Sequence, residues 1–408
     1  MYHDKNEMLE SECATVVDWY WDSIGEGTKM ENGCEPPLEY ADGGYHPIWT
    51  CTQKVELRSS EKLDKNSVRT FTAAPIEHTV AVNRLCLDFN NLFYAAENTW
   101  SFVGRSKFAG GWHQLIERLR KHVEGIELDA KAYDASVFQR ALLDQLEIRW
   151  EFMQTCDRTV ANRQRLVKLY QEIIWSYIVM ENGELVRKST GNPSGSANTI
   201  VDNTMVLFRI LAYCWVRGAP ENLRTYAEFM VNVEGALNGD DNDLAVAERC
   251  RIFFNVENIT KFAGELGVTM TAEHTYFLPI EKLTFLSQST VKMFGMWMPS
   301  PNRDRLLSSI WLAADVDDPR WHLLRASAML MDGWANLECR KILRQYIEYL
   351  LNRFRAQMVG VVNGVSMEAI SNNIKSDAWC LRLYTGHEIS GCVTITPDKI
   401  NDKYIDNP

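Results

Sequence analysis

The chain lacks several features that would mark a membrane-spanning, secreted or zinc-stabilised protein. Its 10 cysteines include no Cys-x-x-Cys pair, which argues for free thiols in a reducing compartment and against a structural zinc site. No apolar stretch reaches the ~18 residues of a spanning helix, and the longest, 204–216, contains Arg209. The charged start of the chain, with Asp4, Lys5 and Glu7, does not read as a secretory signal.

Internal repeats and low-complexity segments are also missing. A hydrophobic content of 46% with 13 tryptophans predicts a globular chain. The 408 residues exceed one typical domain and permit two or three subdomains that share cores.

Two adjacent aspartates occur at the tip of a predicted β-hairpin, in Gly239-Asp240-Asp241-Asn242. Residues 231–237 and 244–246 are strand-like, and Asn238-Gly239 is a dipeptide that type I′ turns favour. Neighbouring carboxylates repel each other unless a cation lies between them, and Mg²⁺ prefers such hard oxygen ligands. An ordinary solvated turn is the alternative for this tetrapeptide taken alone.

A second pair of carboxylates lies upstream. Asp129 directly follows the predicted strand 126–128, and Asp134 comes five residues later. We expect Asp129 to face the hairpin tip across one sheet. A helix is predicted to begin near Ser136, with that serine as its N-cap. Asp134 then lies near the start of the helix, where its alternative role is to help cap it.

A Gly-Asn-Pro-Ser-Gly loop, residues 191–195, precedes an apolar helix predicted over 198–216. Thr199, Asp202 and Asn203 are spaced so that they share one helix face beside the loop. Small polar side chains grouped in this way can bind the hydroxyls of a sugar. The alternative is a Ser-Gly loop in which a threonine caps the helix.

Taken in order, Asp-x4-Asp, Ser-Gly-x3-Thr-x3-Asn and Gly-Asp-Asp resemble the motifs of the RNA-dependent RNA polymerases of positive-strand RNA viruses. The sequence of residues 191–203 is most similar to those of the picornavirus-like supergroup, in particular its astrovirus-like and potyvirus-like members. The resemblance covers roughly residues 50 to 355. It implies an α+β fold with right-hand polymerase architecture, in which a palm with an antiparallel sheet is flanked by fingers and a helical thumb.

Three further segments resemble the same family. A basic stretch resembles the fingertip motif, whose cations meet the incoming triphosphate; its members are Lys54, Arg58, Lys62 and Arg69. Residues 267–274 resemble the next palm motif, with His274 where many relatives have a lysine that protonates pyrophosphate. Residues 283–287 resemble the primer-grip hairpin, although the basic residue often found there is absent.

The resemblance also implies roles for the remaining motif residues. Asp129 and Asp240, with Asp241 as a weaker ligand, are expected to hold Mg²⁺, with Mn²⁺ as the alternative. Asp134 and Asn203 are expected to recognise the ribose 2′-hydroxyl. Ser194, Gly195 and Thr199 are expected to support them in nucleotide binding. The implied partners are an RNA template and primer, ribonucleoside triphosphates and other viral replication proteins. The implied location is the host cytoplasm, with membrane-associated replication complexes as one setting.

The predicted subdivision of the chain has five parts. Residues 1–88 form part of the fingers, 89–156 the first part of the palm, 157–190 a fingers insertion, 191–290 the second part of the palm, and 291–408 the thumb and tail. Relatives usually carry a longer fingers region before the basic motif, so a fragment is one interpretation.

Two alternative functions share some of these features. A reverse transcriptase has the same palm carboxylates but must exclude the 2′-hydroxyl, whereas Asp134 with Asn203 is typical of a site that binds it. A truncated polymerase without catalytic activity could instead serve as a scaffold in a replication complex. A primer-extension assay distinguishes these alternatives. Incorporation of ribonucleotides indicates an RNA polymerase, incorporation of deoxynucleotides a reverse transcriptase, and no extension a scaffold.

The net charge of −11 is unusual for a protein that binds nucleic acid, because phosphate contacts supply much of the affinity. We therefore expect the cations to line one channel and naked RNA to bind weakly. The expected contributors are the 54–69 stretch and a late helix that carries Arg340, Lys341, Arg344, Arg353 and Arg355.

Overall fold

The computed structural model describes residues 7–8, 10–26, 45–56, 58–65, 68–312 and 317–386. Its helices are α1 Cys13–Ser23, α2 Ser60–Asp64, α3 Ile76–Ala95, α4 Gly111–Leu119, α5 Tyr133–Ser136, α6 Gln139–Phe152, α7 Val160–Ile174, α8 Thr199–Gly218, α9 Tyr226–Asn232, α10 Val256–Glu265, α11 Arg303–Ser308, α12 Pro319–Asp332, α13 Leu337–Phe354, α14 Met367–Ser371 and α15 Asp377–Thr385. Its strands are β1 Ile48–Gln53, β2 Thr70–Ala73, β3 Glu124–Ala130, β4 Tyr177–Val179, β5 Leu185–Arg187, β6 Val233–Asn238, β7 Asp241–Val246, β8 Met270–Thr271, β9 Leu278–Pro279, β10 Gln288–Met293, β11 Met296–Pro301, β12 Val361–Val362 and β13 Val365–Ser366.

The central sheet has the order β6-β7-β3-β8, with β9 also pairing with β3. All its pairings are antiparallel, and Leu128 of β3 lies opposite Asn242 of β7. Continuing that register places Asp129 opposite Asp241. Side chains opposite each other in a sheet point to the same face, so the pairing brings the two predicted carboxylate segments together.

The two faces of this sheet pack against different helices. Leu128 and Leu244 belong to the larger core, together with Leu207 of α8. On the other face, Ala236 and Ala245 pack in a second core with residues of α4. Helix α8 therefore lies under the sheet and carries the polar residues of its first turn toward the hairpin tip.

Helix α8 is the one helix within the described ranges that is long and apolar enough to cross a membrane by length and composition. Of its most apolar stretch, 56% is buried inside the fold. Core helices of globular proteins pass the same test, so this is weak evidence for a membrane span.

A second sheet has the order β2-β1-β4-β5. In it β1 pairs with β2 in antiparallel orientation and with β4 in parallel orientation. This sheet joins the basic stretch, which lies between β1 and β2, to the segment 157–190. The five-part subdivision of the chain stays a prediction.

Three local predictions were wrong. The hairpin turn has positive φ at Gly239, whereas the φ of Asp240 is not positive, and Asn238 pairs with Asp241. These are features of a type II′ turn, which needs glycine at its first central position, and not of type I′. Ser136 ends the short helix α5 instead of capping a long one, and α6 begins after Phe138. The strand predicted from residue 231 begins at Val233, because 226–232 form α9.

The expectation that the late helix lines a channel was wrong for two of its cations. Arg340 is buried with its guanidinium over the Trp334 ring. Arg344 donates a hydrogen bond to the Asp377 carboxylate at 2.8 Å. Both arginines hold the helices after residue 319 together, while Lys341, Arg353 and Arg355 are exposed.

A fully buried ion pair anchors α8 to α6. Arg149 donates to Asp202 from Nε at 3.2 Å and from Nη2 at 2.7 Å. Tyr170 donates to the other carboxylate oxygen at 2.9 Å, and Asn90 accepts from Arg149 at 2.9 Å. Burial raises the pKa of Asp202 above its ordinary value, even though Arg149 and Tyr170 oppose the shift. The carboxylate therefore depends on its partners to stay charged.

Replacing Arg149 with methionine should lower the free energy of unfolding by about 3–5 kcal/mol, because it leaves a buried carboxylate without its countercharge. Denaturant-induced unfolding followed by fluorescence measures the effect. Arg140→Met is the matched control, since Arg140 is exposed and its pair with Asp144 lies on the surface, where such pairs contribute ~0–1 kcal/mol. Equal midpoints for the two variants would contradict the assignment.

Candidate active site

Three carboxylates meet at one end of the central sheet. Asp129 is the next-to-last residue of β3, and Asp240 and Asp241 lie at the tip of the β6–β7 hairpin. The hairpin is fixed from below, because the Gly239 N–H donates to Thr204 Oγ1 of α8 at 2.8 Å. Asn242 Nδ2 donates to the carbonyls of Leu128 and Asp240, both at 2.9 Å. The turn is thus tied to β3 on one side and to α8 on the other.

The charges of these carboxylates act on one another. Desolvation by the surrounding protein, with the charges of Asp240 and Asp129, raises the pKa of Asp241 to about 6. Desolvation and the charge of Asp129 also raise the pKa of Asp240. Asp129 and Asp241 are exposed, so a cation can reach them. A bound cation would relieve the repulsion, which is why this donor set fits Mg²⁺.

The three carboxylates are neighbours at the sheet end, but they do not form a ready-made set of metal ligands. Within the described ranges, no group of three or more His, Cys, Asp or Glu side chains is arranged to hold a metal ion. The predicted ligands are neighbours in the fold, and their role as ligands stays a prediction.

Asp134 and Asn203 meet beside the carboxylates, as the sequence predicted. Asn203 Nδ2 donates to Asp134 Oδ1 at 2.8 Å, and Asn203 Oδ1 accepts from Asn192 Nδ2 at 3.0 Å. Tyr133 OH also donates to the Asn203 carbonyl at 3.0 Å. Desolvation raises the pKa of Asp134, while the Asn203 hydrogen bond opposes the shift. Asn203 is buried and fixed at both ends of its amide, whereas Asp134 is exposed to an incoming ligand.

The Gly-Asn-Pro-Ser-Gly loop packs directly against strand β2. Ser194 Oγ accepts a hydrogen bond from the Thr72 N–H at 3.2 Å, and Gly195 forms a bridge with Ala73. A Cβ on Gly195 would lie 2.2 Å from the Thr72 carbonyl oxygen, so only glycine fits there. Thr199 Oγ1 donates a hydrogen bond to the Pro193 carbonyl of the loop at 2.6 Å. Ser194, Gly195 and Thr199 thus shape the loop.

Asp202 does not share the ligand-facing side with Thr199 and Asn203, so that expectation was wrong. Its carboxylate is fully buried in the pair with Arg149. Consecutive residues of a helix point in different directions. Asp202 and Asn203 therefore face different surroundings, although both follow Thr199 by about one turn. Asp202 instead fixes α8, on which Asn203 is presented.

The four basic residues of the fingertip segment divide into three groups. Lys54 and Arg69 lie near the carboxylates, since the charges of both oppose the rise in the pKa of Asp134, and Arg69 also opposes the rises at Asp240 and Asp241. Arg58 is held beside Glu56. Lys62 is exposed on helix α2. A direct role for Lys62 in nucleotide binding stays a prediction.

His274 lies three residues beyond Thr271, which pairs with Asp129 in the central sheet. The imidazole is half-buried and stacks on the Tyr276 ring, with ring centroids 5.1 Å apart. The role of His274 as the acid that protonates pyrophosphate stays a prediction.

Two residues that position the site were missed by the sequence reasoning. Asn192 orients the Asn203 amide, and its own N–H donates to the Asp134 carbonyl at 2.6 Å. Thr204 fixes the hairpin turn. Asn192 could have been found from its position within the loop. Thr204 could have been found from its position directly after Asn203.

Comparisons with known proteins show the family to which this chain is similar. The family described as "Viral RNA-dependent RNA polymerase" matches residues 40–330. The genome polyprotein of Soybean mosaic virus (strain N) is 32% identical over 339 residues, which cover 81% of this chain. The genome polyprotein of Ryegrass mosaic virus (isolate Denmark/Danish) is 31% identical over 317 residues, or 75% of this chain.

A solved structure is similar in fold. The "Sicinivirus 3Dpol RNA dependent RNA polymerase" has a TM-score of 0.64 at 15% identity, over 91% of this chain and 71% of that one. This similarity confirms the predicted α+β right-hand fold. The chain spans only 10% of the length of the two polyproteins.

The raised pKa of Asp241 predicts a pH dependence for cation binding. With its pKa raised to about 6, Asp241 takes up a proton as the pH falls through that value, and a cation must displace this proton. Affinity for Mn²⁺, used as a probe, should therefore fall as the pH is lowered through 6, approaching about tenfold per pH unit for one displaced proton. Calorimetry in buffers of different ionisation enthalpy measures the affinity and the released proton. A constant affinity between pH 7 and pH 5 would refute this linkage.

Proposed function

This chain belongs to the family of viral RNA-dependent RNA polymerases, and from that premise we propose that it copies RNA by template-directed nucleotidyl transfer. Its substrates would be an RNA template, a primer strand and ribonucleoside triphosphates. The observation that carries the proposal is the meeting of Asp129 with Asp240 and Asp241 at the sheet end, beside the Asp134–Asn203 hydrogen bond.

The carboxylates would hold the catalytic cations. Asp129 and Asp240 are the proposed ligands of Mg²⁺, with Asp241 as a further ligand and Mn²⁺ as the alternative ion. Metal ions held there would supply activation of the 3′-hydroxyl and charge stabilisation of the triphosphate. The hydrogen bonds of Gly239 and Asn242 fix the turn that carries Asp240 and Asp241.

Asp134 and Asn203 would select the sugar. The Asn203 amide is held between Asn192 and Asp134, so it cannot turn away when a ligand without a 2′-hydroxyl enters. A site that leaves a polar group unpaired rejects such a ligand. A reverse transcriptase requires the opposite selection, which is why we favour RNA synthesis.

Lys54, Arg58 and Arg69 would neutralise the triphosphate, with Lys62 at the edge of the segment. His274 would protonate the leaving pyrophosphate. Because the viral relatives are polyproteins, we also propose that other viral replication proteins are partners. The proposed setting is the host cytoplasm, at membrane-associated replication complexes, and fractionation of infected cells tests it.

Asp240→Ala should abolish primer extension while the protein stays folded, because losing a metal ligand removes several kcal/mol of transition-state stabilisation. Extension of a labelled RNA primer on a homopolymeric template measures it, and the circular dichroism spectrum checks the fold. Asp88→Ala is the matched control, since Asp88 is exposed on helix α3, and it should retain activity.

Near-normal extension by folded Asp240→Ala would sink the polymerase proposal. An inactive parent protein, on several templates and with both cations, would favour the scaffold alternative. Incorporation of deoxynucleotides in preference to ribonucleotides would favour a reverse transcriptase.

Removing either side chain of the sugar site should weaken selection for ribonucleotides. Asp134→Ala and Asn203→Ala should each lower the discrimination by about 1–3 kcal/mol, the cost of an unpaired buried polar group. The ratio of kcat/KM for the two nucleotide types measures it. Asn182→Ala, in the exposed turn between β4 and β5, is the control. An unchanged ratio in both site variants would mean that selection lies elsewhere.

A further inference from the structure

A lysine outside the predicted motifs is bound to the start of the Gly-Asn-Pro-Ser-Gly loop. Lys188 directly follows strand β5 and is half-buried. Its Nζ donates hydrogen bonds to the carbonyls of Thr190 at 3.2 Å and of Gly191 at 2.5 Å. Its backbone N–H donates to the carbonyl of Ser176, between α7 and β4, at 3.2 Å. The lysine therefore connects the second sheet to the turn that opens the loop.

That turn lies against the short helix α5, which carries Asp134. Gly191 has a φ of +84°, and a Cβ there would lie 2.5 Å from the Asp134 carbonyl oxygen, so only glycine fits. The Gly191 N–H donates to the Val137 carbonyl at 2.8 Å, and Thr190 Oγ1 donates to the same carbonyl at 3.1 Å. The two carbonyls that Lys188 binds thus belong to residues that are themselves fixed to the Asp134 segment.

Asn192 connects this turn to the sugar site. It directly follows Gly191, its N–H donates to the Asp134 carbonyl at 2.6 Å, and its Nδ2 donates to Asn203 Oδ1 at 3.0 Å. Asn192 is 1% exposed, and within the described part of the chain its Oδ1 has no hydrogen-bond partner. Its orientation therefore depends on its backbone and on Asn203, so a displacement of the turn would also displace the Asn203 amide.

The ammonium group of Lys188 is held in a desolvated place beside a carboxylate. Desolvation lowers the pKa of Lys188 to about 7, and the charge of Asp134 opposes this shift. Asp134 also faces the charges of Asp240 from the hairpin and of Lys54 and Arg69 from the fingertip segment. An uncharged amide could bind the same two carbonyls without the desolvation cost of a cation. The charge itself therefore needs another reason, and the carboxylate of Asp134 provides one.

We propose that Lys188 is a positioning residue for ribose selection, which holds the turn against α5 and balances the charge of Asp134. The inference rests on the proposed polymerase function and on the proposed sugar roles of Asp134 and Asn203. An ionised carboxylate can accept hydrogen bonds from Asn203 and from a ribose 2′-hydroxyl together, since all its oxygen lone pairs are acceptors. Lys188 acts through this carboxylate and needs no contact with the nucleotide.

The charge on Lys188 makes ribose selection depend on pH. Hydrogen bonds from a charged donor are about twice as strong as neutral ones. When Lys188 loses its proton, its bonds to Thr190 and Gly191 weaken and Asp134 loses a countercharge. Because the pKa of Lys188 is about 7 in the folded chain, this loss takes place as the pH rises through 7. Selection should therefore be strongest below that pH.

The test measures the ratio of kcat/KM for ribonucleoside and deoxyribonucleoside triphosphates. The full-length chain extends a primed RNA template from about pH 6 to about pH 8.5, a range that spans the titration of Lys188. Effects of pH on metal binding and on the leaving pyrophosphate are common to both nucleotides and cancel in the ratio. For the parent protein we expect the ratio to fall about fivefold across this range, the effect of about one weakened hydrogen bond.

Two variants separate the charge from the shape of the side chain. Lys188→Met should lower the ratio about fivefold at pH 6 and remove its pH dependence, while kcat for ribonucleotides changes less than the ratio. Lys188→Arg should keep the selection of the parent protein at pH 6 and retain it at high pH, because a guanidinium does not titrate in this range. Arg187→Met is the matched control, since Arg187 is the exposed neighbour on β5, and it should behave as the parent protein does.

Three results would overturn the inference. The first is a ratio in the parent protein that stays constant across the pH range. The second is Lys188→Met with the selection of the parent protein at pH 6, when Asp134→Ala has lost it. The third is the same pH dependence in Lys188→Arg as in the parent protein, which decides the matter even where Lys188→Met does not fold. In each case RNA synthesis continues and the polymerase proposal stands, whereas a parent protein that extends no primer refutes both.

Discussion

Electrostatic repulsion between carboxylates at one sheet end is the constraint on which the rest of this structure depends. Because β3 and β7 pair in this antiparallel register, Asp129 lies beside Asp241. Asp243 lies two residues further along the same face, but burial raises its pKa well above that of an ordinary carboxyl, which favours its neutral form. The negative charge is thus concentrated at the hairpin tip, where a cation can enter.

The surrounding elements resist this repulsion. Thr204 and Asn242 hold the turn in place, and the buried Arg149–Asp202 pair fixes the helix on which Thr204 and Asn203 are carried. The positive charges of Arg69 and Arg305 oppose the rise in the pKa of Asp241.

The sequence was sufficient for those parts of the site that depend on local spacing. Asp129 at a strand end, the Gly-Asp-Asp turn and the Asn203 helix face were all predicted, since each follows from periodicity and turn chemistry. The turn type was mistaken because Asn238-Gly239 was assigned to the centre of the turn, whereas Asn238 pairs with Asp241. Sequence spacing alone does not fix which residues close a hairpin.

Other features depend on long-range packing and had no local signal. Asp202 shares a helix turn with Asn203, yet the partner that buries it, Arg149, lies 53 residues away. Arg340 and Arg344 looked like channel cations in a basic helix, but Trp334 and Asp377 engage them inside the helical region.

Electron paramagnetic resonance of bound Mn²⁺ tests the central claim most directly. With a non-hydrolysable ribonucleoside triphosphate and primed template present, the account predicts two Mn²⁺ ions per chain, close enough for their spins to couple, as expected at ~3.5–4 Å. The coupled signal should vanish in Asp129→Asn and Asp240→Asn and persist in Asp88→Asn. A coupled pair that survives both ligand substitutions, or none in the active parent protein, would contradict it.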